Sequence, residues 1–342
     1  MSASDNCKDG ASTSRSNNDG VCDVNNMLNS MNLANDEKNI GIERCANCGK
    51  EGNDDMNICN KCKQVKYCNA SCKKKNRHKH KNDCEEYVRL AAEHAAKLHD
   101  IELFKQPPSQ YEDCPICFLK MPSFGTGRRY NSCCGKIICS GCAYAPLYDG
   151  QGNKIAEEKC PFCRTPKPKT NEEAIIRMSK RVEAGDPLAI GTLASYYGEG
   201  KYEYPQDHAK AFELFHRAGD LGDSEGYCCI GCAYDQGLGV EVDKKKAVQY
   251  FELAAMGGNG RARYNLGSII NSNMNRALRH HMIAIRSGYV KSLEKIKLWY
   301  THGYVTKDVY MAALQTYQVY LGEIKSPQRD EAAAADENCR YY

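Results

Sequence analysis

Between Asn171 and Ile324 small and apolar residues return in a long, regular period. The pair Gly185-Asp186 recurs as Gly222-Asp223, Gly258-Asn259 and Gly288-Tyr289, at offsets of 37, 36 and 30 residues. Within each period Ala189, Gly226 and Ala262 stand in register, as do Leu193, Ile230 and Leu266, then Ala211, Ala247 and Ala277, and finally Ala218, Ala254 and Ala284. Small residues at fixed helical positions let two helices approach closely, so each period predicts a helical hairpin with Gly200 or Gly237 in its turn. The third period is shorter because it lacks that glycine-rich turn. Upstream, Val88, Ala91, Ala95, Leu98 and Ile101 fall at helical spacing among Glu and Lys, which predicts a connecting helix over 85–106 stopped by Pro107 and Pro108. The two ends differ from this. Residues 1–40 are Asn, Ser, Asp and Gly with scattered apolar positions and predict disorder, and residues 325–342 read as a disordered tail.

The stretch AYDQGLGVEVDKKKAVQYFELAAMGGN at Ala233–Asn259, with Gly237, Gly239, Val240, Asp243, Lys246, Ala247 and Ala254, resembles the Sel-one-like repeat family, relatives of the tetratricopeptide repeats. The first and third periods resemble it more loosely. This resemblance implies an α-solenoid over 171–324 with a concave protein-binding face, closed by helices over Val290–His302 and Thr306–Ile324.

The chain of 342 residues has a charged content of 26 % and a mean hydropathy of −0.65, with no apolar run long enough for a signal peptide or membrane span. The expected compartment is the cytosol or nucleus. Its 21 cysteines are then no disulfide framework, because a reducing thiol pool opposes one, and metal is the natural reading. Most of them fall in two clusters, Cys45–Cys84 and Cys114–Cys163.

In the first cluster Cys45-x2-Cys48, Cys59-x2-Cys62, Cys68-x3-Cys72 and His80-x3-Cys84 are four pairs of soft ligands. Two residues between cysteines make a tight knuckle with both sulfurs toward one ion, and three residues put two ligands on one face of a helical turn. This order, with VKYC at Val65–Cys68 and His80-Lys81, resembles the MYND zinc finger over 45–84. The resemblance implies interleaved pairing: Cys45, Cys48, Cys68 and Cys72 on one zinc ion, and Cys59, Cys62, His80 and Cys84 on another. Only spacing favours His80 over His78, and Arg77 stands where such fingers often carry tryptophan. Lys73, Lys74, Lys75, Arg77, Lys79 and Lys81 form a basic run, read as a solvated face in preference to a nucleic-acid or nuclear-import patch.

In the second cluster CPIC at Cys114–Cys117, CCGKIICSGC at Cys133–Cys142 and CPFCR at Cys160–Arg164 resemble a RING finger over 111–166. The family's cross-brace implies Cys114, Cys117, Cys139 and Cys142 on one ion. For the other, Lys136 stands where histidine is usual and a protonated lysine cannot ligate, so Cys133 is expected to join Cys134, Cys160 and Cys163. Family members dock a ubiquitin-conjugating enzyme through positions that here are Ile116 and Pro161, with a cation at Arg164 to lock the bound ubiquitin.

Fifteen thiolates set against the eight positive charges of four Zn2+ ions take the formal charge from +4 to −3, which argues against nucleic acid as the partner. Cys228, Cys229 and Cys232 mimic a metal knuckle but occupy positions held by Gly191, Thr192 and Ser195 in the neighbouring period, so they read as packing residues. His280-His281 reads as a satisfied or exposed pair. The expectation is a multidomain protein: two small cross-braced zinc fingers, then an all-α solenoid, working as a zinc-dependent protein–protein adaptor. The competing class is a RING-type ubiquitin ligase whose repeats select substrate.

Overall fold

The computed structural model describes residues 44–52, 56–123, 125–149, 153–270 and 273–342. The disorder expected over 1–40 lies outside the described residues. The chain divides into two compact units, Met1–Glu93 and His94–Tyr342.

In the first unit a two-residue hairpin, β1 (Asn57–Ile58) and β2 (Lys66–Tyr67), pairs Asn57 with Tyr67 and Ile58 with Lys66. It is followed by α1 (Ala70–Asn76), whose N-cap Asn69 accepts a bond from the Cys72 amide. The buried core is ligand sulfur packed with Met56 and Tyr67. A core this small cannot hold a fold by apolar burial. Helix α2 (Lys81–Phe104) begins inside the finger, a turn earlier than the connecting helix expected over 85–106. The reason is local, since Asn76 O accepts from the His80 amide and His80 O from the Cys84 amide, carrying the chain into the helix through two ligands. Its stripe Val88, Leu98 and Ile101 is exposed, and Arg89 ties Glu86 and Glu93 along its surface.

The second unit opens its zinc module with an antiparallel hairpin, β3 (Arg128–Asn131) and β4 (Lys136–Cys139), in which Arg128 faces Cys139 and Asn131 faces Lys136. A short helix, α3 (Ser140–Tyr144), follows. The repeats begin after α4 (Asn171–Glu183) and form four hairpins. These are α5 (Pro187–Glu199) with α6 (His208–Asp220), α7 (Ser224–Gln236) with α8 (Lys244–Met256), α9 (Gly260–Ile269) with α10 (Met274–Arg286), and α11 (Val290–Thr301) with α12 (Lys307–Ile324). The recurring Gly-Asp/Asn pair is a turn glycine followed by an N-cap: Asp186, Asp223 and Asn259 each accept amide bonds from the next helix, whereas Tyr289 makes no such bond. The register residues Ala189, Ala211, Ala218, Ala247, Ala254, Ala262, Ala277 and Ala284 are all buried at helix contacts. At Gly226 a Cβ would stand 2.6 Å from Phe215 O, so α7 reaches α6 only without a side chain there.

Two expectations fail in this unit. The tail over 325–342 is ordered: α13 (Pro327–Ala335) starts at the N-cap Ser326 with Pro327 in its first turn, and Arg329, Ala332, Cys339 and Tyr341 are buried. Its composition hid this, because the burial of Arg329 rests in part on Lys120 O, some 200 positions away. The histidines are not exposed, and neither is fully satisfied. Both are buried, His281 Nδ1 meets Ser292 Oγ at 3.1 Å, and the ring nitrogens of His280 have no hydrogen-bond partner while its ring packs on Phe104. Among the described residues no helix is long and apolar enough to cross a membrane.

Candidate metal centres

Four groups of ligand atoms converge, each within 4.8 Å: Cys45, Cys48, Cys68 and Cys72; Cys59, Cys62, His80 and Cys84; Cys114, Cys117, Cys139 and Cys142; Cys133, Cys134, Cys160 and Cys163. Every expected ligand is among them. The ligand pairs are spaced as a tetrahedron requires. A Zn–S bond of about 2.3 Å gives a tetrahedral edge of about 3.8 Å, and the sulfurs stand at 3.6 Å for Cys48 and Cys68, 3.7 Å for Cys59 and Cys84, and 3.8 Å for both Cys117–Cys139 and Cys134–Cys160. Such distances are far beyond a disulfide. His80 Nε2 lies 3.4 Å from Cys62 Sγ with its ring buried, while His78 is exposed, which separates the two histidines. Cys133 Sγ stands 3.3 Å from Cys163 Sγ, and Lys136 is exposed on β4.

The knuckles share one backbone device. After the second cysteine the chain turns left-handed at Gly49, Lys63, Phe118 and Arg164, with φ of 71°, 59°, 57° and 60°. The same residues return their amides to the first cysteine's carbonyl: Gly49 to Cys45, Lys63 to Cys59, Phe118 to Cys114 and Arg164 to Cys160. Three of the four are not glycine, and each costs on the order of 1 kcal/mol in that region. A metal ion that fixes both sulfurs offsets this strain.

The metal-free thiols are electrostatically divided. An amide bond from Cys68 holds the Cys45 thiol down at about 6, whereas thiol contacts with Cys72, Cys45 and Cys48 push Cys68 up to about 12. Burial, then its bond to Cys163, pushes Cys133 well up. Crowded thiols cannot all ionise without a cation between them, and a divalent ion is the group that would let them.

Further donors support the sulfurs. In the first module Asn47 and Asn69 side chains reach Cys72 and Cys68 at 3.5 and 3.4 Å. Lys73, from the basic run, donates to Ile58 O and Asn60 Oδ1, so it braces the finger, while the remaining cations of the run are exposed. In the second module Arg181 donates to Ser132 O and Cys133 O, Tyr130 donates to Asp186 at 2.7 Å, and Arg329 reaches Cys117 Sγ. No spacing rule points to these residues. They come from α4, the start of α5 and α13, and only the folded chain brings them to the module.

Ile116 and Phe162 are exposed at 37 % and 46 %, and Phe118 beside them in sequence at 79 %. Arg164 is exposed and Pro161 half-buried. Cys228 packs in the core between α7 and α8, while Arg261 donates to the sulfurs of Cys228 and Cys229, consistent with packing residues.

Residues 45–84 match the model of the MYND finger, and residues 189–223 and 226–259 match that of the Sel1 repeat. The chain carries a MYND finger and Sel1 repeats. Among curated proteins it is similar to the E3 ubiquitin-protein ligase DA2 of Arabidopsis thaliana, 44 % identical over 55 residues, and to the E3 ubiquitin-protein ligase GW2 of Oryza sativa subsp. indica, 40 % identical over 57. Each match covers 16 % of this chain, and it spans only 12 % and 11 % of those relatives' lengths. Among solved structures it is similar to a Sel1 repeat protein from Oxalobacter formigenes, at 26 % identity over 51 % of this chain and 68 % of that one, with a TM-score of 0.39. It is also similar to c5321, a protective antigen of uropathogenic Escherichia coli displaying an SLR fold, at 21 % identity over 52 % and 42 %, again with a TM-score of 0.39.

Proposed function

We propose that this chain is a protein-interaction scaffold braced by four structural zinc ions, in which the two finger modules recruit partners and the repeats hold a client. The observation that carries it is the filling of all four ligand sets by protein side chains, fifteen cysteines and His80, with no place kept for water. Ions held in this way stabilise a fold and do no chemistry. The client surface is supported by a cavity of about 540 Å³ lined by the second module through Tyr111 and Tyr130 and by the repeats through Leu188, Phe212, Phe215 and Leu238. Metal analysis of the purified chain should return close to four zinc ions, and a value of two would leave one module empty.

A second reading, a RING-type ubiquitin ligase, is favoured by the exposure of Ile116 and Phe162 on two knuckles and by Arg164, whose backbone is set by the Cys160 turn. The names of the similar plant proteins point the same way. A ligase of this kind uses no side chain as nucleophile; it positions a charged conjugating enzyme. In an autoubiquitination assay Ile116→Ala and Arg164→Ala should each lower chain formation at least about tenfold, the effect of losing one interface anchor, while keeping the wild-type zinc content. Absence of chains from the wild type across a panel of conjugating enzymes would remove this reading and leave the scaffold.

A further inference from the structure

The end of the chain closes over the second zinc module. Helix α13 lies against α3, so closely that a Cβ on Gly141 would fall 2.8 Å from the Arg329 amide nitrogen. Beyond it, Ser140 Oγ donates to Cys339 O at 3.1 Å, Thr126 donates to Arg340 O, and Tyr341 is buried beside Gly127. Arg329 itself is fully buried. Its Nη1 donates to Lys120 O at 2.9 Å and Ile324 O at 2.6 Å, and its Nη2 faces Cys117 Sγ at 3.7 Å and Leu119 O at 3.5 Å. Gln328 Oε1 lies 4.0 Å from Cys142 Sγ.

Carbonyls satisfy donors but leave the charge of a guanidinium uncompensated, and a buried charge without a counter-charge is costly. Among the described residues no carboxylate pairs with Arg329. The group at hand is the thiolate set of Cys117 and its partners, which with one divalent ion carries a net charge of −2. We infer that residues 325–342 are an integral clasp of the second zinc module, with Arg329 as the positioning residue that neutralises and orients the Cys114, Cys117, Cys139 and Cys142 site. This rests on the zinc reading of that site. Coupling of this kind is reciprocal: the clasp holds the metal, and the metal holds the clasp.

Two measurements on the full chain test it. In the wild type, hydrogen exchange of the α13 amides should speed up at least about tenfold once a chelator has emptied the second module. Unchanged protection after metal loss would overturn the clasp. Separately, zinc release into a chromogenic chelator should show one of four ions leaving about 10- to 100-fold faster from Arg329→Met, the usual range for loss of an outer-shell partner. The two ions of the first module should be unchanged, and Arg329→Lys, which keeps the charge without the fork, should fall between. Four ions released from Arg329→Met at wild-type rates would overturn the proposal while leaving the zinc reading intact. A wild-type content of two ions, both in the first module, would overturn both.

Discussion

The two zinc modules use the same chemistry and are supported in different ways. In the first, among the described residues, the groups found against the sulfurs lie within the forty residues of the finger: Asn47, Asn69, Tyr67 and the caps of α1. In the second, the sulfurs come from 114–163, but Arg181, Asp186 and Arg329 come from the repeats and the C-terminal end. A local module is specified by a local sequence. An embedded one depends on contacts whose sequence separation is about 50 to 200 residues.

The sharpest way to break that comparison is to remove one ligand from each module. Structural zinc supplies on the order of 10 kcal/mol to a finger, and cross-bracing makes the two ions of a module interdependent. Cys59→Ser should therefore cost both ions of the first module, and Cys160→Ser both ions of the second. Cys160→Ser should also lower the melting midpoint of the helical signal, because Arg181, Asp186 and Arg329 lose their partners. Repeats that melt unchanged in Cys160→Ser would mean that the second module is no more embedded than the first.

A smaller effect sharpens the same point within the repeats. Asp186 and Asp243 both cap helices, through the amides of Leu188 and Ala189 and of Lys245 and Lys246 respectively, but only Asp186 also accepts from Tyr130 of the zinc module. Asp243→Ala should cost about 1 kcal/mol, the usual worth of an N-cap. Asp186→Ala should cost about 2–3 kcal/mol by urea denaturation, the cap plus a charge-assisted bond. Equal losses at the two sites would show that the Tyr130 contact adds nothing.

The same division explains what could be read from the sequence. Spacing singled out sixteen candidate ligands, and the pairing implied by family resemblance is the pairing whose atoms converge. Three similar periods exposed the first three hairpins, because a repeat shows its contacts through its own recurrence. Arg329 was hidden, since an arginine in an alanine-rich stretch reads as a solvated surface, and its burial depends on Lys120 O and Ile324 O. His280 was hidden for the same reason: its packing on Phe104 joins α10 to the end of α2. The left-handed Lys63, Phe118 and Arg164 carry no signal in residue type, because the amide return to the first cysteine's carbonyl holds a conformation that the side chains disfavour.

A further comparison separates fingers from repeats by acid. Protons release zinc from thiolates in both modules, whereas in the repeats two of the groups that answer to acid are His280 and His281. Burial, reinforced by Arg263 and Arg276, lowers His280 to about 3, and burial with Lys295 lowers His281 to about 4. Both lie below the unfolded value of about 6.5. Below that pH the unfolded chain therefore binds protons that the native chain excludes. Stability is full above about 6.5 and falls as pH drops toward 4, by at most about 1.4 kcal/mol per pH unit for each histidine. Trp299, the only tryptophan, meets the His281 ring edge-on at 5.0 Å and reports this site alone. Its fluorescence should change between pH 6 and 4 in the wild type and over a lower range in His281→Asn, while chelation of zinc at pH 7 leaves it unmoved. A Trp299 signal that follows zinc loss and ignores His281→Asn would place the acid sensitivity of the repeats in the embedded module, and would extend the coupling between the two across the whole solenoid.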